Sequence, residues 1–162
     1  MSVKLLEGYQ PGVIGRVTEM HARYYSRDWG LDDSFEAKVA KELADFFGRY
    51  DTARDRFWMA QRDGDPVGSI TIDGSDRNAQ GARLRFFILS DSARGQGVGN
   101  LLMDAAMAFC RQAGFHRVFL WTFDGLSAAR HLYEKHGFRI VEQVEGTQWG
   151  KPLTEQKMVV EL

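Results

Sequence analysis

The segment Arg94-Gly95-Gln96-Gly97-Val98-Gly99 sets three glycines at alternate positions directly ahead of an alanine- and leucine-rich run. Glycine lets a backbone turn tightly and come close to a ligand. A helix beginning at Val98 would aim its unpaired N–H groups and its positive dipole end at the same point. That combination suits a phosphate or pyrophosphate, and the leading Arg94 adds charge of the right sign. Two familiar phosphate motifs are absent. The dinucleotide fingerprint needs glycine where Asn100 stands, and the P-loop needs a lysine followed by serine or threonine. His116, His131 and His136 lack metal-binding spacing, so they read as solvated residues and no metal is expected.

The elements that must position this turn follow from periodicity. Val3 to Glu7 reads as a strand, and a helix follows Pro11 through Ile14, Val17, Met20, His21 and Tyr24. Asp33 and Ser34 supply capping side chains, with Glu36 three residues after Asp33, for a helix striped by Phe35, Val39, Leu43 and Phe46. Phe57–Gln61 and Pro66–Ile72 form a hairpin around Asp63-Gly64. Arg83–Leu89 is the next strand, and the glycine turn joins it to a helix from Val98 that ends at Gly114. His116–Thr122 is a strand covered on both faces, Leu126–His136 a helix, and Phe138–Val141 and Glu155–Glu161 the closing strands. This order predicts an α/β (α+β) fold, a mixed, mostly antiparallel central sheet flanked by helices on both faces. It is not the alternation of a doubly wound dinucleotide fold.

Composition bounds the rest. The chain has 162 residues, 44% hydrophobic and 27% charged, with no repeat or linker, which predicts one domain over 1–162. A net charge of -1 argues against a general nucleic-acid-binding surface. Cys110 is the single cysteine, so no internal disulfide forms, and it reads as a packing residue. No apolar stretch reaches the ~20 residues needed to span a bilayer, and a cytoplasmic protein is expected. The 17 glycines stand against 3 prolines, and their placement, more than their number, carries the functional signal.

Leu89-Ser90-Asp91-Ser92-Ala93-Arg94-Gly95-Gln96-Gly97-Val98-Gly99 resembles the Arg/Gln-x-x-Gly-x-Gly/Ala acyl-CoA pyrophosphate loop of the GNAT family of N-acetyltransferases. Downstream, Ala129-Arg130-His131-Leu132-Tyr133-Glu134-Lys135-His136-Gly137-Phe138 is similar to that family's Ala-x-x-Leu-Tyr-x-x-x-Gly-Phe segment. The two stand in register with a strand between them, and the element order extends the resemblance over nearly the whole chain. It implies an acyl-CoA N-acyltransferase fold and transfer of acetyl from acetyl-CoA directly to an amine, with acetyl-CoA as co-substrate. The backbone N–H groups of Gln96, Gly97, Val98, Gly99 and Asn100 would hold the pyrophosphate. The backbone around Leu89 would pair with the pantetheine arm, and its N–H would polarise the thioester carbonyl. Tyr133 matches the family tyrosine that protonates the departing thiolate. The family often has asparagine where this chain has Leu126.

On the acceptor side the residues leave alternatives open. Regular alternation puts Arg83 and Arg85 on one sheet face with Phe87 and Leu89. Arg85 would bind a carboxylate there, or else form salt bridges to helix carboxylates. Tyr24, Tyr25, Trp29 and Trp149 would wall the acceptor pocket, or else pack as core aromatics. Asp73, Asp124, Glu19 and His21 are the candidate bases. The resulting expectation is a small carboxylate-bearing amine, such as an amino acid, as acceptor. A non-catalytic acyl-CoA sensor and a protein-lysine acetyltransferase are the alternatives. Homodimers are common in such folds, with no interface located here.

Overall fold

A computed structural model describes residues 2–162. Seven strands form one sheet in the order β1-β2-β3-β4-β5-β7-β6. These are β1 (Val3–Glu7), β2 (Arg56–Arg62), β3 (Asp65–Asp73), β4 (Ala82–Leu89), β5 (Arg117–Phe123), β6 (Arg139–Gly146) and β7 (Leu153–Glu161). Every pairing is antiparallel except β4 with β5. The helices are α1 (Val13–Trp29), α2 (Asp33–Gly48), α3 (Val98–Gln112) and α4 (Ser127–Lys135), with a short 3-10 turn at Asp91–Ala93. This is the expected mixed sheet flanked by helices.

The apolar stripes account for the layers. On one face Leu102, Met103, Ala106, Met107 and Cys110 of α3 pack with Ile70, Leu84, Leu120 and Met158 of the sheet. Tyr133 of α4 joins the same cluster. On the other face Val13 and Val17 of α1 meet Leu43 and Phe46 of α2 over Phe57 and Met59 of β2. Burial pushes the Cys110 thiol up to about 12, in keeping with a packing role.

Local chemistry sets the boundaries. Asp63 and Gly64 turn the β2–β3 hairpin with φ of 52° and 83°, the left-handed pair that an Asp-Gly turn provides. The α2 cap differs from expectation by one residue. Asp32 is the capping side chain, accepting from the Ser34 N–H at 3.1 Å and the Ser34 hydroxyl at 2.6 Å, while Asp33 already lies inside the helix. The N–H two residues ahead is the one a cap aspartate reaches. β6 runs longer than its apolar residues suggest, because its pairing with β7 continues to Gly146 and Leu153.

Candidate active site

The β4–β5 ladder is short. Parallel pairing is confined to Ala82 with Val118 and Arg83 with Phe119, and beyond these two pairs the strands separate. β4 is bent at the same place. On its β3 side Ser69 pairs with Ile88 and Thr71 with Arg85, so Phe86 and Phe87 together oppose the single residue Ile70. Phe86 takes φ 51°. A bulge of this kind kinks a strand and increases its twist, which carries the end of β4 away from β5.

The bulge also corrects the expected side-chain faces. Arg85 and Phe86 stand on the α1–α2 face, where the Arg85 guanidinium lies 4.7 Å from the Phe86 ring centroid and Phe86 packs against the α1–α2 clusters. Phe87 and Leu89 pack on the α3 side instead. The extra residue reverses the alternation that regular β geometry predicts.

Two cavities flank the gap. One, of about 500 Å³, is lined by Leu89, Arg94, Gly95, Gly97, Gly99 and Asn100 among others. The second, of about 140 Å³, is lined by Arg83, Arg85, Glu42, Trp121, Tyr133 and Trp149 among others. Tyr25, Phe87, Leu126 and Ala129 line both, so the cavities meet at the gap.

The larger cavity contains the glycine turn. Gly97 caps α3 with φ 82°, a left-handed conformation that a side chain rarely adopts. Gly99 admits the close approach of α4, since a Cβ there would lie 3.0 Å from Leu132 Cδ2. From Gly95 to Asn100 the backbone N–H groups have no acceptor among the described residues, and together they form an anion cradle at a helix start. Gln96 offers only its backbone, because its amide donates to the Ser92 carbonyl at 2.9 Å and its oxygen accepts from Arg62. Val98 is buried in the core. Arg94 donates to the Leu89 carbonyl at 3.2 Å and stacks over Tyr24 at 4.6 Å. Tyr24 therefore belongs to this cavity, not to the smaller one it was expected to wall. The Ser90 N–H donates to Val67 of β3 at 2.9 Å. Backbone groups alternate along a strand, so the Leu89 N–H points the other way, into the gap.

In the smaller cavity Tyr133 is buried, its ring centroid 5.9 Å from Phe87 and 6.0 Å from Phe138. Burial pushes its phenol well above the ordinary value of 10. No described residue hydrogen-bonds its hydroxyl. Trp149 lines this cavity, braced edge-on against Phe123 at 5.2 Å, with its loop tied by the Gln148 N–H donating to Glu155 at 2.8 Å. Trp29 packs against Phe123 outside the cavity.

Arg85 lines the cavity but is engaged. Its Nη1 donates to Asp73 at 2.9 Å and its Nη2 to Glu42 at 2.8 Å. Of its two readings the salt bridge is the one realised. Asp73 accepts from Arg49 as well, at 3.1 and 2.7 Å. Burial alone would raise its pKa, but Arg49, Ser75 and Arg85 outweigh it and hold the carboxyl well below the usual range, which removes Asp73 as a base. Glu19 is paired with Arg16 and Arg23 on the surface, and Asp124 is exposed outside both cavities. His21 does line the smaller cavity. Its Nδ1 lies 2.8 Å from the Val17 carbonyl, so that nitrogen carries the proton and Nε2 keeps its lone pair. His136 is not a solvated residue either, since it bridges the Leu132 carbonyl and Asp104 at 3.1 and 3.0 Å.

Glu42 and Lys38 of α2 also line this cavity, and no motif in the sequence singles them out. Their helical stripe marks α2 as packed, but not against which strand. Burial pushes Glu42 up, and Lys38 and Arg85 reverse this to leave it below its ordinary value. Leu126 stands at the mouth of both cavities with no side-chain cap to α4, so an apolar wall replaces the amide often found in the resembled family.

A profile of the Acetyltransferase (GNAT) family matches residues 15–138. The chain belongs to this family. It is 28% identical over 128 residues to the N-acetyltransferase YjgM of Escherichia coli, covering 76% of this chain and 75% of that protein. It is 30% identical over 116 residues to the N-acetyltransferase camello of Xenopus tropicalis, covering 71% and 52%. This GNAT chain spans about half the length of the first curated relatives it matches. In fold it is similar to yncA of Salmonella typhimurium, solved with its cofactor acetyl-CoA, with a TM-score of 0.77 at 14% identity over 99% of this chain and 94% of that one. A Staphylococcus aureus GNAT acetyltransferase gives a TM-score of 0.78 at 16% identity, covering 99% of both chains.

Proposed function

We propose that this chain is a one-domain cytoplasmic N-acetyltransferase that moves the acetyl group of acetyl-CoA directly to the primary amine of a small carboxylate-bearing molecule. The observation that carries this reading is the junction of the two cavities at the β4–β5 gap, with Tyr133 beside it. The larger cavity has a cradle of free N–H groups from Gly95 to Asn100 for a pyrophosphate. It leads along Leu89 to Phe87, where an acceptor in the smaller cavity would meet the thioester.

Each residue's role follows from its surroundings. The Leu89 N–H, pointing into the gap, is placed to polarise the thioester carbonyl, which becomes an oxyanion when the amine attacks. The amine nitrogen gives up a proton as the C–N bond forms, and the C–S bond breaks to release a thiolate. A thiol has a reference pKa near 8.5 and a phenol near 10, and burial takes Tyr133 higher still. Complete proton transfer from Tyr133 to the thiolate is therefore uphill. The acid role assigned from sequence narrows to hydrogen-bond donation that steadies the developing charge on sulfur. Of the four candidate bases His21 alone lines this cavity; its unprotonated Nε2 accepts a hydrogen bond from the amine, while burial, which takes its pKa down to about 4, makes it a weak base.

A cavity of about 140 Å³ flanked by Trp149 and Trp121 suits a small acceptor better than a protein lysine. Thiol release from acetyl-CoA, followed across a library of amines, tests the reading. Release with small carboxylate-bearing amines supports it. Acetyl-CoA binding without release with any amine makes the chain a binding module instead.

A further inference from the structure

Among the described residues, the acceptor cavity holds one cation without an ion-pair partner. Its charged lining consists of Lys38, Glu42, Arg83 and Arg85. Lys38 binds Glu42, and Arg85 binds Glu42 and Asp73 at 2.8 and 2.9 Å. Arg83 makes no hydrogen bond or ion pair with any described residue, and its Nε is buried without a partner. Burial, with Arg85 adding to it, pushes its pKa below the ordinary arginine value. Arg83 is half-buried, burying a guanidinium N–H without a partner is costly, and an anion delivered by a ligand removes that cost.

Position adds a second, independent argument. Arg83 pairs with Phe119 as the last rung of the β4–β5 ladder, so it stands at the closed end of the gap. Phe87, beside Tyr133, stands at the end where the two cavities meet. With the bulge at Phe86–Phe87, about three rungs of the β3–β4 ladder at ~3.3 Å each separate them by ~10 Å along β4. The wall between is aromatic, with Phe86, Trp121, Phe123 and Trp149. A molecule lying in this cavity thus has a cation at one end, an apolar middle and the transfer site at the other end.

We propose that Arg83, not Arg85, is the anion-recognition residue of the acceptor site, holding the carboxylate of an acceptor whose amine lies at the Phe87–Tyr133 end. This rests on the acetyltransferase reading above and deepens it. The acceptor class becomes an amine with an apolar body and a single anionic group. A planar carboxylate fits a guanidinium bidentately, so lysine is an imperfect substitute at this position.

The test compares 4-(aminomethyl)benzoate with benzylamine, a pair that differs by the carboxylate alone. In the wild type kcat/KM is expected to favour the acid by about 10-fold or more. Arg83→Gln is expected to remove that preference through the KM of the acid, and Arg83→Lys to restore part of it. Acetyl-CoA affinity serves as the check that each variant is folded. A preference for the acid that survives in Arg83→Gln overturns the proposal, as does wild-type turnover with no preference. If neither amine releases thiol, the acetyltransferase reading loses support for this acceptor class, and benzoate decides the Arg83 question separately. A saturable rise in melting temperature with benzoate in the wild type, absent in Arg83→Gln, supports the anion site. An equal rise in both proteins, or none in either, overturns it.

Discussion

The rings of Phe87 and Tyr133 meet at a 54° tilt with centroids 5.9 Å apart, one on β4 past its bulge and the other on α4. Without the bulge Phe87 would turn to the α1–α2 face, and this contact would not form. The pair therefore marks the place where the strand defect and the second motif converge. Tyr133 sits in the wall of the smaller cavity, while the glycine turn lines the larger one beyond Leu89. Tyr133→Phe removes only the hydroxyl and keeps the ring packing. Turnover is expected to fall by about 10²-fold, the range for loss of one well-placed donor. Acetyl-CoA affinity, measured by titration calorimetry, is expected to stay within about twofold. Unchanged thiol release would remove Tyr133 from the mechanism.

The glycine turn makes a different prediction, because its demand is on the backbone. Gly97 holds φ 82° at the N-cap of α3, and a Cβ there would meet nothing within 4 Å. Space is free and conformation is the constraint. Gly97→Val is expected to cost about 1–2 kcal/mol in urea denaturation and to weaken acetyl-CoA binding, since the cradle N–H groups lose their alignment. Gly97→Asn is expected to recover most of both, because asparagine tolerates the left-handed region. Equal losses for valine and asparagine would point to a steric rather than a conformational requirement.

The cofactor side was legible in the sequence for a physical reason: it is built from local signals. A glycine turn between a strand and a helix, and an Ala-x-x-Leu-Tyr helix one strand later, lie in contiguous stretches and depend little on long-range packing. The acceptor side depends on contacts between distant elements. Regular alternation grouped Phe87 and Leu89 with Arg85, but one extra residue at Phe86–Phe87 shifts the register and turns those two to the α3 side, and no residue type announces that bulge. Glu42 and Lys38 reach the cavity only because α2 crosses β4, with Arg85 43 residues away from Glu42 in sequence, and Arg85 meets Asp73 only because β3 and β4 pair. Tyr24 and Tyr25 are adjacent, yet Tyr24 stacks under Arg94 beside the cradle while Tyr25 lines both cavities. Helical periodicity could not divide them between the two.

Asp73 organises the charged floor of the acceptor cavity. It is almost fully buried and accepts from Arg49, Arg85 and Ser75 at once. Asp73→Asn keeps the shape but leaves two guanidinium groups short of a counter-charge. A loss of about 3 kcal/mol is expected, typical of breaking a buried pair by removing one partner. Arg83→Met, by contrast, removes a cation with no partner and is expected to leave stability unchanged or raised. Denaturant midpoints of the two variants check both statements, and a large loss for Arg83→Met would mean that Arg83 is paired in the folded chain.

His21 sets the acid limit of stability. Its ring is buried between Tyr25 and Phe86, with centroids 6.3 and 6.4 Å away. Burial pushes its pKa down from 6.5 to about 4, against the opposing pull of the Val17 carbonyl. The folded chain then binds fewer protons than the unfolded chain between these values, so stability rises with pH across the interval. The contribution is complete above pH 6.5 and is lost as the pH falls toward 4, amounting to about 3 kcal/mol over the window. Asp73 acts only below the ordinary carboxylate pKa, so the two effects separate on the pH axis. His21→Asn places an amide donor near the Val17 carbonyl without a titrating ring. Urea denaturation at pH 7 and pH 4.5 is expected to give a steep loss in the wild type and a much smaller one in His21→Asn. Equal losses in both proteins would show that His21 keeps an ordinary imidazole pKa in the folded chain and is not held neutral by burial.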